Sequence, residues 1–481
     1  MRKFAAAATL CVAAFVFVSA VGAKTPPHHK VKPKQTSAPT VVRSTAITYG
    51  VAEDATKYND NPAPAYNDIL GAGMSENRWT LLWDGQNTDG STDSAFITRS
   101  LAAKPAGVNI TLALYPNPSS FTSNGDGTRQ PPSDAYITGF CNWAKAVATR
   151  YAGKINSFIV LNEPNLATFW PATNRAQTVE QTLAACYDAI KGANPSATIA
   201  GLGLSARKPG NGSDAPLDLL DGIAAAYKAT PRTTPLFDTI SVHPYPPQDA
   251  SINPTQPPDS TGAGYASSPT FVGANTLQRV VNTVNNDFAG TGQPTFNNGL
   301  TMRVDEYGYQ VKMTGDPRYH GTENSTTVPD QATQAADYTT AITKYFACYP
   351  FVSGVFILHL IDEPALGNED GGGGWQSGLE EVDGTKRASY TAVKSAISAG
   401  CLGLGPTFVN GPQGDSGSSG STGSNGKSGS NGKNGKGGSA GAGSKTGKSG
   451  KTGKGSTGKK GKTTVPKCKK GQKSTKAKPC K

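Results

Sequence analysis

The chain alternates short apolar runs with segments whose apolar residues recur at helical spacing, and this alternation begins near residue 46. Near-continuous apolar runs are typical of strands that are covered on both faces, as in a parallel sheet. Strands that alternate with helices over about 360 residues predict a (β/α)8 barrel. The eight predicted strands, in chain order, occupy residues 46–51, 77–83, 108–116, 155–161, 198–205, 238–246, 299–306 and 351–362.

Helices are predicted between these strands. One begins near Ser133 and places its aromatic residues on one face, where core packing explains them. Thr178 and Gln181 form a capping box that predicts the start of another helix, which ends at Asn194. An open doubly wound sheet is the alternative, but it would usually carry a glycine-rich first turn, and TYGVAED lacks one. Further helices are predicted at residues 63–70, 91–103, 277–288, 330–348 and 386–397.

Two of the predicted strands end on a glutamate. The stretch INSFIVLNEPN ends on Asn162, Glu163 and Pro164, and the stretch GLTMRVDEYGYQ carries Asp305 and Glu306. Barrel enzymes keep their chemistry at the carboxyl ends of the strands. Either glutamate alone is explained equally well as a salt-bridged or capping carboxylate, but the pair suits an acid and a nucleophile on one rim. Strand alternation predicts that Asp305 points away from Glu306.

The motifs IVLNEPN, VHPYP and VDEYGYQ together resemble the retaining glycoside hydrolases of clan A, which are (β/α)8-barrel enzymes. The resemblance covers roughly residues 46–400. It implies that Glu163 is the acid/base, that Glu306 is the nucleophile and that Asn162 binds the sugar 2-hydroxyl. Retention requires the two carboxyl groups to lie ~5–5.5 Å apart, whereas a separation near ~9 Å would indicate inversion.

The same resemblance implies roles for three residues around the predicted nucleophile. Arg78 lies where the family has a strand-two arginine that supports the nucleophile, and a surface salt bridge is the alternative. His243 and Tyr245 match the family's strand-six pair. Tyr245 is expected to donate a hydrogen bond to the ionised Glu306.

Aromatic and acidic residues near other strand ends are candidate sugar contacts. Trp375 follows the glycine-rich loop after strand eight, where the family often places a tryptophan beneath the reacting sugar. Phe169 and Trp170 are candidate sugar platforms, with loop packing as the alternative. Asp362 and Glu363 lie at the end of strand eight and are further candidates for substrate binding.

The first 23 residues predict export. They have a basic start, an apolar middle and small residues before a cleavage point after Ala23, which is typical of a secretory signal peptide. Residues 24–45 are predicted as a flexible lead-in, and no transmembrane segment is predicted. The six cysteines that remain after cleavage suggest disulfides in an extracellular protein. The expected pairs are Cys141 with Cys186, Cys348 with Cys401, and Cys468 with Cys480.

The positive charge of the chain belongs to its two ends. Of the formal net charge of +12, residues 411–481 supply +16 and residues 1–34 supply +6, so the intervening body carries −10. The catalytic domain is predicted at 46–404, and a low-complexity basic tail at 405–481. Residues 411–481 are too poor in apolar residues to fold, so disorder is predicted. Adhesion to an anionic wall or surface polymer is the functional interpretation, and an inert spacer is the alternative.

These observations favour a secreted, monomeric retaining glycosidase that acts on a polysaccharide or oligosaccharide, through β-linked bonds, by double displacement. A catalytically silent carbohydrate-binding or wall-associated barrel is the first alternative, and a lysine-rich adhesin is the second. No cofactor and no metal are predicted, since the cysteines lack CxxC spacing and GLGLS lacks the rest of a phosphate loop. Nucleic acid is disfavoured because residues 411–481, which carry the positive charge of the tail, contain no stacking aromatics.

Overall fold

The computed structural model describes residues 46–122, 129–206, 212–246, 258, 269–322, 328–366 and 374–407. The predicted signal peptide and lead-in, the tail from residue 408 and the predicted Cys468–Cys480 disulfide therefore lie outside the described residues. Among the residues described, no helix is long and apolar enough to cross a bilayer.

Eight parallel strands form a closed barrel in chain order, as the sequence predicts. The barrel closes where the last strand pairs with the first, with Gly354 opposite Thr48. The strands are β1 (Thr48–Ala52), β2 (Glu76–Trp83), β3 (Asn109–Pro116), β4 (Ser157–Val160), β5 (Thr198–Ser205), β6 (Thr239–His243), β7 (Thr301–Tyr307) and β8 (Val352–Ile357).

Helices follow the strands and cover the outside of the barrel. The π-helical turn Ile342–Phe346 extends one of them, and short 3-10 turns lie at Pro118–Ser120, Ala274–Thr276 and Phe296–Asn298. The α-helices are α1 (Ala55–Tyr58), α2 (Ala63–Gly71), α3 (Ser94–Ala103), α4 (Asp134–Arg150), α5 (Arg175–Ala193), α6 (Pro216–Lys228), α7 (Gln278–Asp287), α8 (Gln331–Ala341) and α9 (Ala388–Ala399).

The two helix starts that the sequence specified have different outcomes. Ser133 caps α4 as predicted, because its hydroxyl accepts a hydrogen bond from the Tyr136 amide. The capping box at Thr178 is wrong, since α5 begins a full turn earlier and Asn174 precedes it. The Thr178 hydroxyl is used inside the helix, where it accepts from Trp170 Nε1 at 2.9 Å.

The strands have two differently packed faces, as alternation of side chains requires. Outward residues join the helices in one large apolar cluster that surrounds the barrel. Ala113, Ile159 and Ala200 form a separate small cluster on three neighbouring strands, and their alternation places it inside the barrel. The barrel interior is therefore packed, and the rim above it is left for polar residues.

Two disulfides fasten the helical layer, and both pairs are those expected from the sequence. Cys141–Cys186 joins α4 to α5, and Cys348–Cys401 joins the chain after the π-helical turn to the chain after α9.

Candidate active site

Glu163 and Glu306 are brought together at the carboxyl end of the barrel. Glu163 follows β4, and Glu306 is the penultimate residue of β7. Nδ1 of His243, at the end of β6, lies 3.1 Å from Glu163 Oε1 and 3.4 Å from Glu306 Oε2. The two carboxyl oxygens therefore cannot be further apart than the sum of these distances. This upper limit lies well below the separation of about 9 Å between carboxyl groups that would indicate inversion.

The chain that carries Glu163 is held in an uncommon conformation. Leu161 has φ 73° and Glu163 has φ 43°, both in the left-handed region that residues other than glycine seldom adopt. The Leu161 amide donates to the Leu114 carbonyl, and the Glu163 amide donates to the Gly203 carbonyl, each at 2.9 Å. Backbone strain of this kind persists where neighbouring structure enforces it, and it clusters at active sites.

Arg78 is buried inside the barrel and binds the predicted nucleophile. Its Nη2 donates to Glu306 Oε1 at 2.8 Å and to Asn162 Oδ1 at 3.1 Å, while Nε lies 3.4 Å from Asp305 Oδ2. Burial opposes the guanidinium charge, but Glu306 and Asp305 outweigh burial and raise the pKa of Arg78. The alternative of a surface salt bridge does not describe this arginine. Because Asn162 Oδ1 accepts a hydrogen bond from Arg78, the amide nitrogen of Asn162 is left as a donor.

Asp305 does not point away from Glu306, contrary to the expectation from alternation. It is fully buried, and its Oδ1 lies 3.2 Å from His243 Nε2. Both acids thus face His243 and Arg78. The pairing of β7 with β8 shifts register between Val304 and Tyr307, so an irregularity at Asp305 and Glu306 breaks the alternation. Burial opposes ionisation of Asp305, but the positive charge of His243 outweighs burial and lowers the pKa of Asp305.

Tyr245 contacts Glu306 as the sequence suggested. Its hydroxyl donates to Glu306 Oε2 at 3.0 Å. Burial and the nearby charge of Glu306 raise the pKa of Tyr245 well above its ordinary value, so the phenol stays protonated and remains a donor.

An open cavity of about 330 Å³ leads down to both glutamates. Tyr245 and Trp375 lie on one wall with ring centroids 5.2 Å apart, and Phe169 lines the cavity as well. Sequence reasoning missed four titratable residues that also line the cavity. Glu53 and Asp54 are acids at the end of β1, so the rule of an acid at a strand end could have found them. Nothing in the sequence marks Tyr115 or His359.

Two predicted sugar contacts are structural residues instead. Trp170 is fully buried, its ring packs edge-on against Phe121, and it therefore presents no face to a ligand. Asp362 is buried in an ion pair with Arg387 and accepts a hydrogen bond from Tyr319 at 2.8 Å. Trp170 is buried because the loop after β4 packs around it, and Asp362 is unavailable to a sugar because it pairs with Arg387.

The left-handed Gly203 (φ 52°) gives a test of how closely the site is packed. A Cβ added there would lie 2.9 Å from His243 Nε2, so we expect Gly203→Ala to displace the histidine and destabilise the fold by about 1–3 kcal/mol. Gly153→Ala is the matched control, since Gly153 has φ 76° but nothing within 4 Å of an added Cβ. Urea unfolding measures both. Equal losses would show that the contact with His243 is unimportant.

The charge of His243 predicts a pH dependence of stability. Burial opposes protonation, but Glu306 and Asp305 outweigh it and raise the pKa of His243 from 6.5 to about 10. The folded state then keeps a proton that the unfolded state releases, so this contribution is complete below pH 6.5 and is lost as pH rises through 10. We expect the difference in unfolding free energy between wild type and His243→Asn to shrink between these values. A constant difference would contradict a charged His243.

Comparisons with known proteins find distant structural matches alone. No family model and no curated protein matches the sequence. Among solved structures, a family 39 glycoside hydrolase from Bacteroides cellulosilyticus WH2 is 18% identical with a TM-score of 0.48, over 73% of this chain and 63% of that one. GH5_18 from Streptomyces cattleya in complex with GlcNAc is 14% identical with a TM-score of 0.48, over 73% and 80%. The match spans less than two thirds of the Bacteroides protein. Likeness at these values carries no argument, so the fold rests on the strand topology and the function on the site.

Proposed function

We propose that the protein is a secreted retaining glycoside hydrolase that cleaves O-glycosidic, β-linked bonds by double displacement. The observation that carries the proposal is the pair of carboxylates, Glu163 and Glu306, on one histidine nitrogen at the bottom of an open cavity. A close pair of carboxyl groups is the arrangement in which one can attack the anomeric carbon while the other protonates the leaving oxygen.

The surroundings of the two glutamates favour Glu306 as the nucleophile. Arg78 holds one of its oxygens at 2.8 Å, and Tyr245 holds the other at 3.0 Å, so the carboxylate is oriented and its charge is balanced. Among the described residues, Glu163 has one side-chain hydrogen-bond partner, His243. A pair of carboxyl groups in such different environments suits one ionised nucleophile and one proton donor.

A second cavity supports the same assignment. It has a volume of about 100 Å³, adjoins the first, and is lined by Glu163, Tyr245 and Trp375 but not by Glu306. The leaving group must lie beside the acid, so this cavity suits the part of the substrate that departs. The sugar that becomes attached to Glu306 would occupy the larger cavity.

Two steps follow from these positions. In the first, Glu306 attacks the anomeric carbon, the bond to the leaving oxygen breaks, and Glu163 gives that oxygen its proton. In the second, Glu163 takes a proton from water as the water attacks the same carbon and releases Glu306. The amide nitrogen of Asn162 is placed to donate to the sugar 2-hydroxyl during both steps.

The test is hydrolysis of a panel of β-linked glycans, followed by proton NMR of the first product formed. We expect one glycan class to be cleaved and the initial product to keep the anomeric configuration of the substrate. An inverted product would disprove the double displacement. Binding to one glycan without cleavage of any would favour the silent carbohydrate-binding barrel.

The basic tail, residues 405–481, is a separate part of the proposal. Its excess of lysine suits attachment to an anionic cell-wall or surface polymer. A chain that ends at residue 404 should hydrolyse soluble substrate at the full-length rate and lose salt-sensitive binding to such a polymer. Unchanged binding would make the tail an inert spacer.

A further inference from the structure

The cavity above the two glutamates is lined by more negative charge than the proposed reaction needs. Besides Glu163 and Glu306, three carboxylates line it, namely Glu53, Asp54 and Glu363. Arg78 is the one lysine or arginine among the lining residues that the structure describes, and its guanidinium is already bound to Glu306, Asp305 and Asn162.

Glu53 is fixed in place at the end of β1. One of its oxygens accepts from the Ala55 amide at 2.7 Å, and the other accepts from the amides of Leu360 and Ile361, each at 3.1 Å. The side chain is buried, and burial raises its pKa. His359, which also lines the cavity, is the neighbour whose charge opposes that shift. A second negative group beside Glu53 would add to the cost of its ionisation.

Asp54 has a cation behind it, but that cation does not line the cavity. Its Oδ1 accepts from the Thr80 amide at 2.9 Å, and the Nζ of Lys57 lies 3.3 Å from it. Lys57 is fully buried and shares its ammonium group with Asp93 at 3.2 Å. The ammonium group of Lys57 thus pairs with two carboxylates and is not available to a ligand in the cavity.

Glu363 is exposed where the cavity meets solvent. Its backbone carbonyl accepts a hydrogen bond from Gln376 Nε2 at 3.1 Å, which anchors the segment next to Trp375. Glu363 lines the cavity, and because its side chain is exposed it can be replaced without disturbing the buried network below it.

We propose that this site takes sugars without negative charge and rejects uronic, sulfated and phosphorylated sugars, an inference that rests on the proposed glycosidase function. Carboxylates accept hydrogen bonds from sugar hydroxyls, and several of them around one ring suit an uncharged, hydroxyl-rich ligand. An anionic sugar would instead be desolvated among like charges, with no free lysine or arginine among the described lining residues, and such juxtapositions strongly disfavour binding.

The experiment compares pairs of substrates that differ only at C6. The 4-nitrophenyl β-glucoside is compared with the β-glucuronide, and the β-galactoside with the β-galacturonide, as the ratio of kcat/KM within each pair. For the wild type we expect the neutral member to be preferred at least about 100-fold. Glu363→Gln should reduce that preference, and Glu363→Lys should reduce it further, by about 10-fold or more in total. High salt should reduce it as well.

Asp188→Asn is the matched control. It removes one exposed carboxylate from α5, where Asp188 pairs with Arg232 outside the cavity, and should leave the preference unchanged. Equal or faster cleavage of the uronides by the wild type would overturn the proposal, and so would Glu363 variants that behave like this control.

A failure of the proposed function would look different. If neither member of any pair is cleaved, the same pairs are titrated into the protein by calorimetry. Tighter binding of the neutral member would support the charge selection without hydrolysis. Tighter binding of the uronide, or no binding of either, would overturn it.

Discussion

Glu306→Gln is expected to lower kcat/KM by about 10⁴-fold or more, because an amide cannot form the glycosyl intermediate that the proposed mechanism requires. The replacement keeps the shape of the side chain and an acceptor for one of the two donors, Arg78 or Tyr245, so the fold should survive. Steady-state kinetics on the best substrate of the glycan panel measure the loss. Circular dichroism checks the fold. Activity within about 10-fold of wild type would remove Glu306 from the mechanism.

Glu163 variants should fail in a way that depends on the substrate. Loss of a general acid costs about 10²–10⁴-fold when the leaving group needs a proton and much less when it does not. We therefore expect Glu163→Ala to retain cleavage of 2,4-dinitrophenyl glycosides and to accumulate the glycosyl form of Glu306. Added azide, which needs no general base, should restore turnover and yield a glycosyl azide of retained configuration. No rescue, with equal losses on all leaving groups, would contradict the acid/base role.

The barrel was predictable because its strands are buried on both faces. A strand in that position needs apolar residues on each side, so the runs stand out in the sequence, and β5 begins and ends at the predicted residues. Polar residues at strand ends interrupt this pattern, which is why Glu163 and Glu306 are recognisable in the sequence itself. The same rule also selects Glu53 and Asp54 at the end of β1.

Other parts of the site depend on facts that spacing does not contain. Asp305 and Glu306 share one side of β7 because of a shift in register with β8, and a rule of alternation assigns them to opposite sides. Phe169 and Trp170 are adjacent aromatics in one loop, and tertiary packing alone decides that Phe169 lines the cavity while Trp170 is buried. The approach of Gly203 to His243 is likewise a contact between strands.

Arg78→Met is expected to be the most destabilising single change at the site. Removing one partner of a buried ion pair costs about 3–5 kcal/mol, because the other charge stays buried without compensation. Here two carboxylates remain, that of Asp305, which is fully buried, and that of Glu306, and they would share the single charge of His243. Urea unfolding measures the loss. Arg150→Met is the control, since that arginine is exposed and lies 3.9 Å from Asp89, and it should cost under about 1 kcal/mol.

The double variant Arg78→Met with Asp305→Asn separates the charge effect from lost packing. If the cost of Arg78→Met comes from the stranded carboxylate, neutralising Asp305 should recover about half of it, and the two changes will be strongly non-additive. Additive losses would mean that Arg78 stabilises the barrel through its alkyl chain and not through its charge. Activity should not return in the double variant, because Glu306 would still lack the guanidinium that holds its Oε1. Arg78 would then stabilise the fold through Asp305 and support catalysis through Glu306.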